Sequence, residues 1–180
     1  MSLSEPGWLR PAVALVLAAT LLRWTLLALN RTDLFVDEAQ YWLWGQHFAF
    51  GYYSKPPLIA WVIGAMTGLS GSDAQFWVRL PGAAFHGATA LILGALAARG
   101  GRTLALWTVA AYLTLPMVAF GSLILSTDTI MAPFFAAALL FHARLIEKGR
   151  AGDAVLAGVM VGLACLAKYA GLYFLIGVAL

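Results

Sequence analysis

Long apolar stretches separated by short polar turns run along the whole 180-residue chain. The candidate membrane spans are 9–29, 79–98, 103–124, 129–147 and 153–168, with a partial stretch at 170–180. A helix that crosses a bilayer needs about 20 mostly apolar residues. The pattern therefore predicts an all-α, polytopic transmembrane bundle. Because no polar cap follows the last stretch, we expect these residues to form the N-terminal part of a longer protein.

Composition supports a membrane protein. Hydrophobic residues make up 62% of the chain and charged residues 11%, whereas a soluble domain has about 25% charged residues. The net charge of +3 is small and the basic residues are scattered, which argues against nucleic-acid binding. The single cysteine, Cys165, excludes an intramolecular disulfide.

A shorter apolar stretch, 56–71, decides the topology. If it does not cross and Arg10 is cytoplasmic, the basic residues of the later turns also face the cytoplasm, as the positive-inside rule requires. These residues are Arg99, Arg102, Arg144, Lys148 and Arg150. The opposite, outer side then carries Asp37, Lys55, Asp128 and Lys168. We therefore predict that 56–71 is an interfacial or re-entrant helix within an outer loop that covers 30–78.

Two further patterns concern the helices themselves. Arg23 lies near one end of the first span, so we expect its side chain to extend toward the headgroups. The pairs Gly64/Gly68 and Gly158/Gly162 have the spacing that lets membrane helices approach closely. Ordinary glycine content of membrane helices is the alternative, and the sequence leaves both open.

Most of the chemically versatile residues lie in the outer loop. Its segment 36–50 predicts an amphipathic, interfacial helix, and we expect its aromatic residues to lie at the membrane surface. They include Tyr41, Trp42, Trp44 and Phe48.

Carboxylates occur at the starts of two predicted helices. Asp37 could be an N-cap and Glu38 could favour the helix dipole, or a carboxylate there could act as a general base or metal ligand. Asp128, between two spans, is either an N-cap or a second acid on the same side as Asp37. His47 has no partner at ligand spacing, which argues against zinc.

The segment Tyr52-Tyr53-Ser54-Lys55-Pro56-Pro57 points to anion binding. Proline restricts the preceding lysine to an extended conformation and often begins a helix. Lys55 would then lie beside a helix N-terminus, an arrangement that suits a phosphate. The alternative is a lysine that binds any anionic headgroup. Arg79 and Lys168 are predicted at the same boundary, where each could also be a membrane anchor.

The motifs occur in an order that resembles the GT-C membrane glycosyltransferases. They are Asp37-Glu38, the Tyr-Tyr-Ser-Lys-Pro-Pro segment at 52–57, Arg79-Leu80-Pro81, Ser126-Thr127-Asp128 and the stretch from Gly162 to Lys168-Tyr169. The nearest resemblance is to the group of the lipid A aminoarabinose transferases, protein O-mannosyltransferases and rhizobial galacturonosyltransferases. It covers essentially all of 9–180 and implies a bundle of the GT-C type with interfacial juxtamembrane helices.

The resemblance implies a reaction and a set of site residues. Such enzymes pass a sugar from a polyprenyl-phosphate carrier to an acceptor hydroxyl, and the acceptor can be a lipid, glycan or protein. The implied catalytic residues are Asp37, Glu38 and Asp128. The implied donor-phosphate residues are Tyr53, Lys55, Arg79 and Lys168. The implied location is the periplasmic side of a bacterial inner membrane, with membrane lipids around the bundle.

One departure concerns a metal. Some members have Glu immediately before the lysine, where this chain has Ser54. A divalent cation, Mg²⁺ or Mn²⁺, on Asp37 and Asp128 is therefore an open expectation. The rival function is a transporter or flippase of lipid-linked sugars, but a transporter usually carries ionisable residues near the bilayer midplane. The sequence leaves the sugar and the acceptor undetermined.

Overall fold

A computed structural model describes residues 7–179, and within that range the protein has nine α-helices and no β-strand. The helices are α1 (Leu9–Leu29), α2 (Val36–Gly45), α3 (Leu58–Ser70), α4 (Gln75–Ala97), α5 (Arg102–Thr114), α6 (Pro116–Gly121), α7 (Thr127–Lys148), α8 (Ala151–Ala167) and α9 (Tyr173–Ala179). Short 3-10 helices cover Ala98–Gly100 and Tyr169–Leu172. The predicted all-α bundle is confirmed.

Three helices of the described residues are long and apolar enough to cross a membrane. They are α1, α4 together with the 3-10 turn after it, and α7. The candidate span at 103–124 is not one continuous helix, because the chain breaks between α5 and α6. Pro116 lacks an N–H and excludes the helical conformation at Leu115, whose backbone is extended with ψ 129°. Pro116 then begins α6.

Arg23 does not extend to the headgroups, so that prediction is wrong. Its side chain is buried in the bundle, and its Nη2 donates a hydrogen bond to the carbonyl oxygen of Leu113 at 2.6 Å. Leu113 lies in the last turn of α5, where carbonyls have lost their intrahelical partners and a cation is electrostatically favourable. Arg23 therefore stabilises the end of a helix that stops inside the bundle.

The outer-loop helices α2 and α3 lie together at one end of the bundle. Trp42 of α2 donates to Asp73, just after α3, at 2.9 Å, and Trp61 in α3 donates to Ala49, just after α2, at 2.8 Å. Both ends of α3 therefore lie near α2. Its 13 residues span about 20 Å, too short to cross a hydrocarbon core of about 30 Å. This agrees with an interfacial or re-entrant helix, although α3 begins at Leu58 rather than at Pro56.

Two glycines allow α2 and α3 to cross closely. A Cβ atom on Gly64 would lie 2.4 Å from the carbonyl oxygen of Gly45, and one on Gly45 would lie 2.8 Å from that of Ala60. By contrast, a Cβ atom on Gly68, Gly158 or Gly162 would meet nothing within 4 Å. The spacing argument therefore identifies one true crossing point, Gly64.

Each end of the bundle has an arginine–glutamate contact. At the end with α2, Arg79 at the start of α4 contacts Glu38. At the other end of α4, Arg99 donates to Glu147 near the end of α7 at 2.9 Å. The candidate site residues lie at the first end.

Candidate active site

A buried ion pair joins α2 to α4. Arg79 donates to Glu38 twice, from Nε to Oε1 at 2.9 Å and from Nη2 to Oε2 at 2.7 Å. The Arg79 and Glu38 side chains are only 1% and 3% exposed. A two-pronged arginine–carboxylate contact fixes orientation as well as distance. The pair therefore sets the position of α2 on the bundle.

Glu38 also connects two segments that are distant in sequence. Its Oε1 accepts from the backbone N–H of Leu125 at 2.9 Å, and its Oε2 accepts from the N–H of Phe35 at 3.0 Å. Leu125 lies just before α7, which carries Asp128, while Glu38 follows Asp37 directly. One carboxylate thus holds both acid-bearing segments at the same end of the bundle.

Arg79 has further partners in the loop after α1. Its Nη1 donates to the carbonyl oxygen of Thr32 at 3.0 Å, and its Nη2 donates to that of Asp33 at 2.8 Å. With these bonds and the Glu38 contacts, its donors are occupied. The geometry favours structural roles for Arg79 and Glu38 over phosphate binding and proton transfer, so those two functional roles remain predictions.

Neither Asp37 nor Asp128 is an N-cap. Helix α2 begins at Val36, and Glu38 makes the capping contact to Phe35. Asp37 is exposed in the first turn of α2 and forms no ion pair within residues 7–179. At α7 the N-cap is Ser126, whose Oγ accepts from the N–H of Thr129 at 3.2 Å. Both acids therefore keep side chains that are free of capping bonds.

Asp128 has a cationic partner. Lys168 Nζ donates to both Asp128 carboxylate oxygens at 2.7 Å. The pair is partly open to solvent, since the side chains are 36% exposed for lysine and 63% for aspartate. Lys168 follows the end of α8, where its backbone is extended. The structure thus joins two predicted site residues that are 40 positions apart.

Tyr41 of α2 is buried, contrary to the expectation that it is an exposed interfacial aromatic. It is 3% exposed. Burial raises the pKa of its phenol, and the Asp37 and Asp128 carboxylates raise it further. Its cluster neighbours Leu125 and Ile130 lie on either side of Asp128 in sequence. Sequence analysis missed Tyr41 as a site residue, although its position one helical turn after Asp37 places the two on one face of α2.

Lys55 and Tyr53 lie on the hairpin between α2 and α3. Lys55 is half-buried and forms no ion pair with the residues that the structure describes, while Tyr53 is fully exposed. The hairpin is fixed by Tyr52, whose ring stacks on Trp44 at 5.1 Å and whose hydroxyl donates to the carbonyl oxygen of His47 at 2.8 Å. Lys55 is thus a cation available to an anionic ligand.

The described residues do not form a complete metal site. No group of three or more His, Cys, Asp or Glu side chains comes together within 7–179. Asp37 and Asp128 could supply two carboxylates, and Lys168 already binds one of them. Metal binding at this position remains a prediction.

Comparison with known proteins identifies the family. The family model for dolichyl-phosphate-mannose-protein mannosyltransferases matches residues 54–180. The chain belongs to this family. The match begins at Ser54 in the hairpin and includes Lys55, Arg79, Asp128 and Lys168, whereas Asp37, Glu38 and Tyr41 precede it.

A curated relative covers almost the whole chain. The chain is similar to the lipid A galacturonosyltransferase RgtD of Rhizobium johnstonii, with 49% identity over 172 residues. That alignment covers 95% of this chain and 36% of the relative, so the chain spans about a third of the relative's length. No solved structure matches the chain.

Proposed function

We propose that the full-length protein is a membrane glycosyltransferase. It moves a sugar from a polyprenyl-phosphate donor to an acceptor hydroxyl at the outer face of the cytoplasmic membrane. The observation that carries this proposal is Glu38, which holds the segments of Asp37 and Asp128 together at one end of the bundle. Membership of the mannosyltransferase family supports the reaction class.

Asp37 is the proposed base. The acceptor oxygen attacks the anomeric carbon of the sugar as Asp37 takes the hydroxyl proton, and the bond from that carbon to the phosphate oxygen breaks. The bonding electrons leave with the phosphate. Among the described residues Asp37 has no ion-pair partner, while Asp128 is bound by Lys168. A carboxylate without a cation is the better proton acceptor, because a nearby cation favours its charged form.

Lys55 is the proposed cation for the leaving phosphate. Negative charge on the phosphate grows in the transition state, so a cation fixed beforehand stabilises that state more than the bound donor. Lys55 has no acidic partner in the part of the chain that the structure describes and is half-buried. Lys168, shared with Asp128, is the second candidate.

The proposed substrates follow from the similarity to the lipid A galacturonosyltransferase. We propose a uronosyl donor and a lipid A-type glycolipid acceptor, and proteins and other glycans are the alternative acceptors. The outer location is supported by the positive-inside rule, since Arg99 and its neighbouring basic residues lie at the opposite end of the bundle from the acids.

The test uses the full-length protein in lipid vesicles, with polyprenyl-phosphate galacturonic acid as donor and lipid A as acceptor. Mass spectrometry measures the glycosylated lipid. We expect transfer by the wild type and a loss of about 10²-fold or more in kcat for Asp37→Asn, because general-base catalysis contributes that much. Donor binding should be unchanged.

A matched control comes from the same loop. Asp73→Asn makes the identical change and retains an oxygen that can accept from Trp42, so its kcat should equal that of the wild type. Undiminished turnover by Asp37→Asn would reject Asp37 as the base. If the donor crosses the vesicle membrane and no sugar is transferred, the result would instead support the rival function, a transporter of lipid-linked sugars.

A further inference from the structure

The ring of Tyr41 is packed beneath the candidate site. It belongs to one buried cluster with Leu125 and Ile130, which lie on either side of Asp128 in sequence, and with Ala167, which precedes Lys168. Asp37 lies one helical turn before Tyr41 on the same face of α2. The ring position is thus set by segments that also carry the three charged site residues.

The hydroxyl of Tyr41 differs from its ring in having no protein partner. Within residues 7–179 the other interior tyrosine, Tyr112, has its hydroxyl 3.0 Å from His86 Nδ1, whereas none of the hydrogen bonds involves the Tyr41 hydroxyl. Enclosed side-chain polar atoms without a partner, within the same residues, belong to Arg23 and Arg144 only. The Tyr41 hydroxyl is therefore not enclosed, although the residue as a whole is only 3% exposed. A tyrosine hydroxyl that reaches the surface of a site can donate a hydrogen bond to a ligand bound there.

The phenol of Tyr41 remains a hydrogen-bond donor. Burial, and after it the charges of Asp37 and Asp128, keep its pKa above the ordinary value. The hydroxyl is therefore protonated at neutral pH and can donate a hydrogen bond.

We propose that the Tyr41 hydroxyl binds the acceptor: it donates a hydrogen bond to the oxygen of the reacting alcohol and turns that alcohol's proton toward Asp37. This inference rests on the proposed function. It adds to that function a residue that binds the acceptor hydroxyl. Tyr41 itself neither gains nor loses a proton in the reaction.

Tyr41→Phe in the full-length protein tests the proposal, because it removes the hydroxyl and preserves the ring. With saturating donor, kcat/KM for the lipid A acceptor should fall about 3- to 10-fold, the factor that corresponds to one hydrogen bond between neutral groups. The unfolding temperature in detergent should not change, since the hydroxyl has no partner among the described residues. The KM for donor should also be unchanged.

Tyr173→Phe is the matched control. Tyr173 lies in α9 and is 70% exposed, so removal of its hydroxyl should leave kcat/KM for the acceptor unchanged. An active wild type with an unaffected Tyr41→Phe variant overturns this inference alone. The same holds if the variant loses activity only in proportion to a lower unfolding temperature. A wild type that transfers no sugar rejects the proposed function and this inference together.

Discussion

The Glu38–Arg79 pair should control the stability of the site end of the bundle. Replacing Arg79 with Met removes one partner of the pair. The Glu38 carboxylate, whose side chain is 3% exposed, is then left without its counter-charge. Loss of one partner of a buried pair costs about 3–5 kcal/mol. Glu38 would keep only its bonds from the N–H groups of Phe35 and Leu125. We therefore expect Arg79→Met and Glu38→Met each to lower the free energy of unfolding by about 3–5 kcal/mol.

The double variant distinguishes the effect of losing the ion pair from the effect of changed side-chain packing. When both partners become apolar, no buried charge is left alone, so Glu38→Met with Arg79→Met should be more stable than the sum of the single losses. The assay is unfolding of the full-length protein in detergent, followed by tryptophan fluorescence during titration with a denaturing detergent.

The Arg99–Glu147 pair at the other end supplies the control. Its side chains are 25% and 45% exposed, and pairs open to solvent contribute about 0–1 kcal/mol. Glu147→Gln should therefore change stability by no more than about 1 kcal/mol. Strictly additive losses in the Glu38/Arg79 double variant, or equal losses at both ends of the bundle, would refute this reasoning.

Two other contacts, at Gly64 and at Arg23, can be tested separately. Gly64→Ala should lower the unfolding temperature and reduce sugar transfer, because its Cβ atom would lie 2.4 Å from the Gly45 carbonyl oxygen. Gly68→Ala, which meets nothing within 4 Å, should match the wild type, and equal effects would contradict the close crossing of α2 and α3. Arg23→Met should cost about 1–3 kcal/mol in the same unfolding assay, because the Leu113 carbonyl loses its donor inside the bundle. Unchanged stability would show that this bond does not hold the end of α5.

Local patterns in the sequence predicted the helical class and the grouping of charges. The spans of α1, α4 and α7 follow from runs of apolar residues, and the shortness of 56–71 predicted an interfacial or re-entrant helix, with which the 13 residues of α3 agree. Boundaries were less accurate where proline decided them: Pro116 divides a stretch that hydropathy alone makes continuous. Hydropathy averages over many residues, whereas a helix ends where one residue cannot adopt its conformation.

For the site, the sequence identified charged residues but not their partners. Glu38 was a candidate catalytic residue and Arg79 a candidate phosphate-binding residue. Only the fold shows that the two side chains bind each other. Tyr41 was predicted to be an interfacial aromatic because α2 is amphipathic, yet it is buried in a cluster with Leu125 and Ile130. Amphipathicity shows that a helix has two faces, but it does not show which face meets protein.

The sequence by itself determined where lipid replaces water as solvent and which end of the bundle carries the acids, because hydrophobicity and charge are properties of each residue. Only the tertiary structure decided how those residues combine. Glu38 meets partners 41 and 87 positions away, and Asp128 meets Lys168 across 40. Hydrogen bonds and ion pairs depend on distances of about 3 Å between atoms, and the packing of the helices fixes those distances.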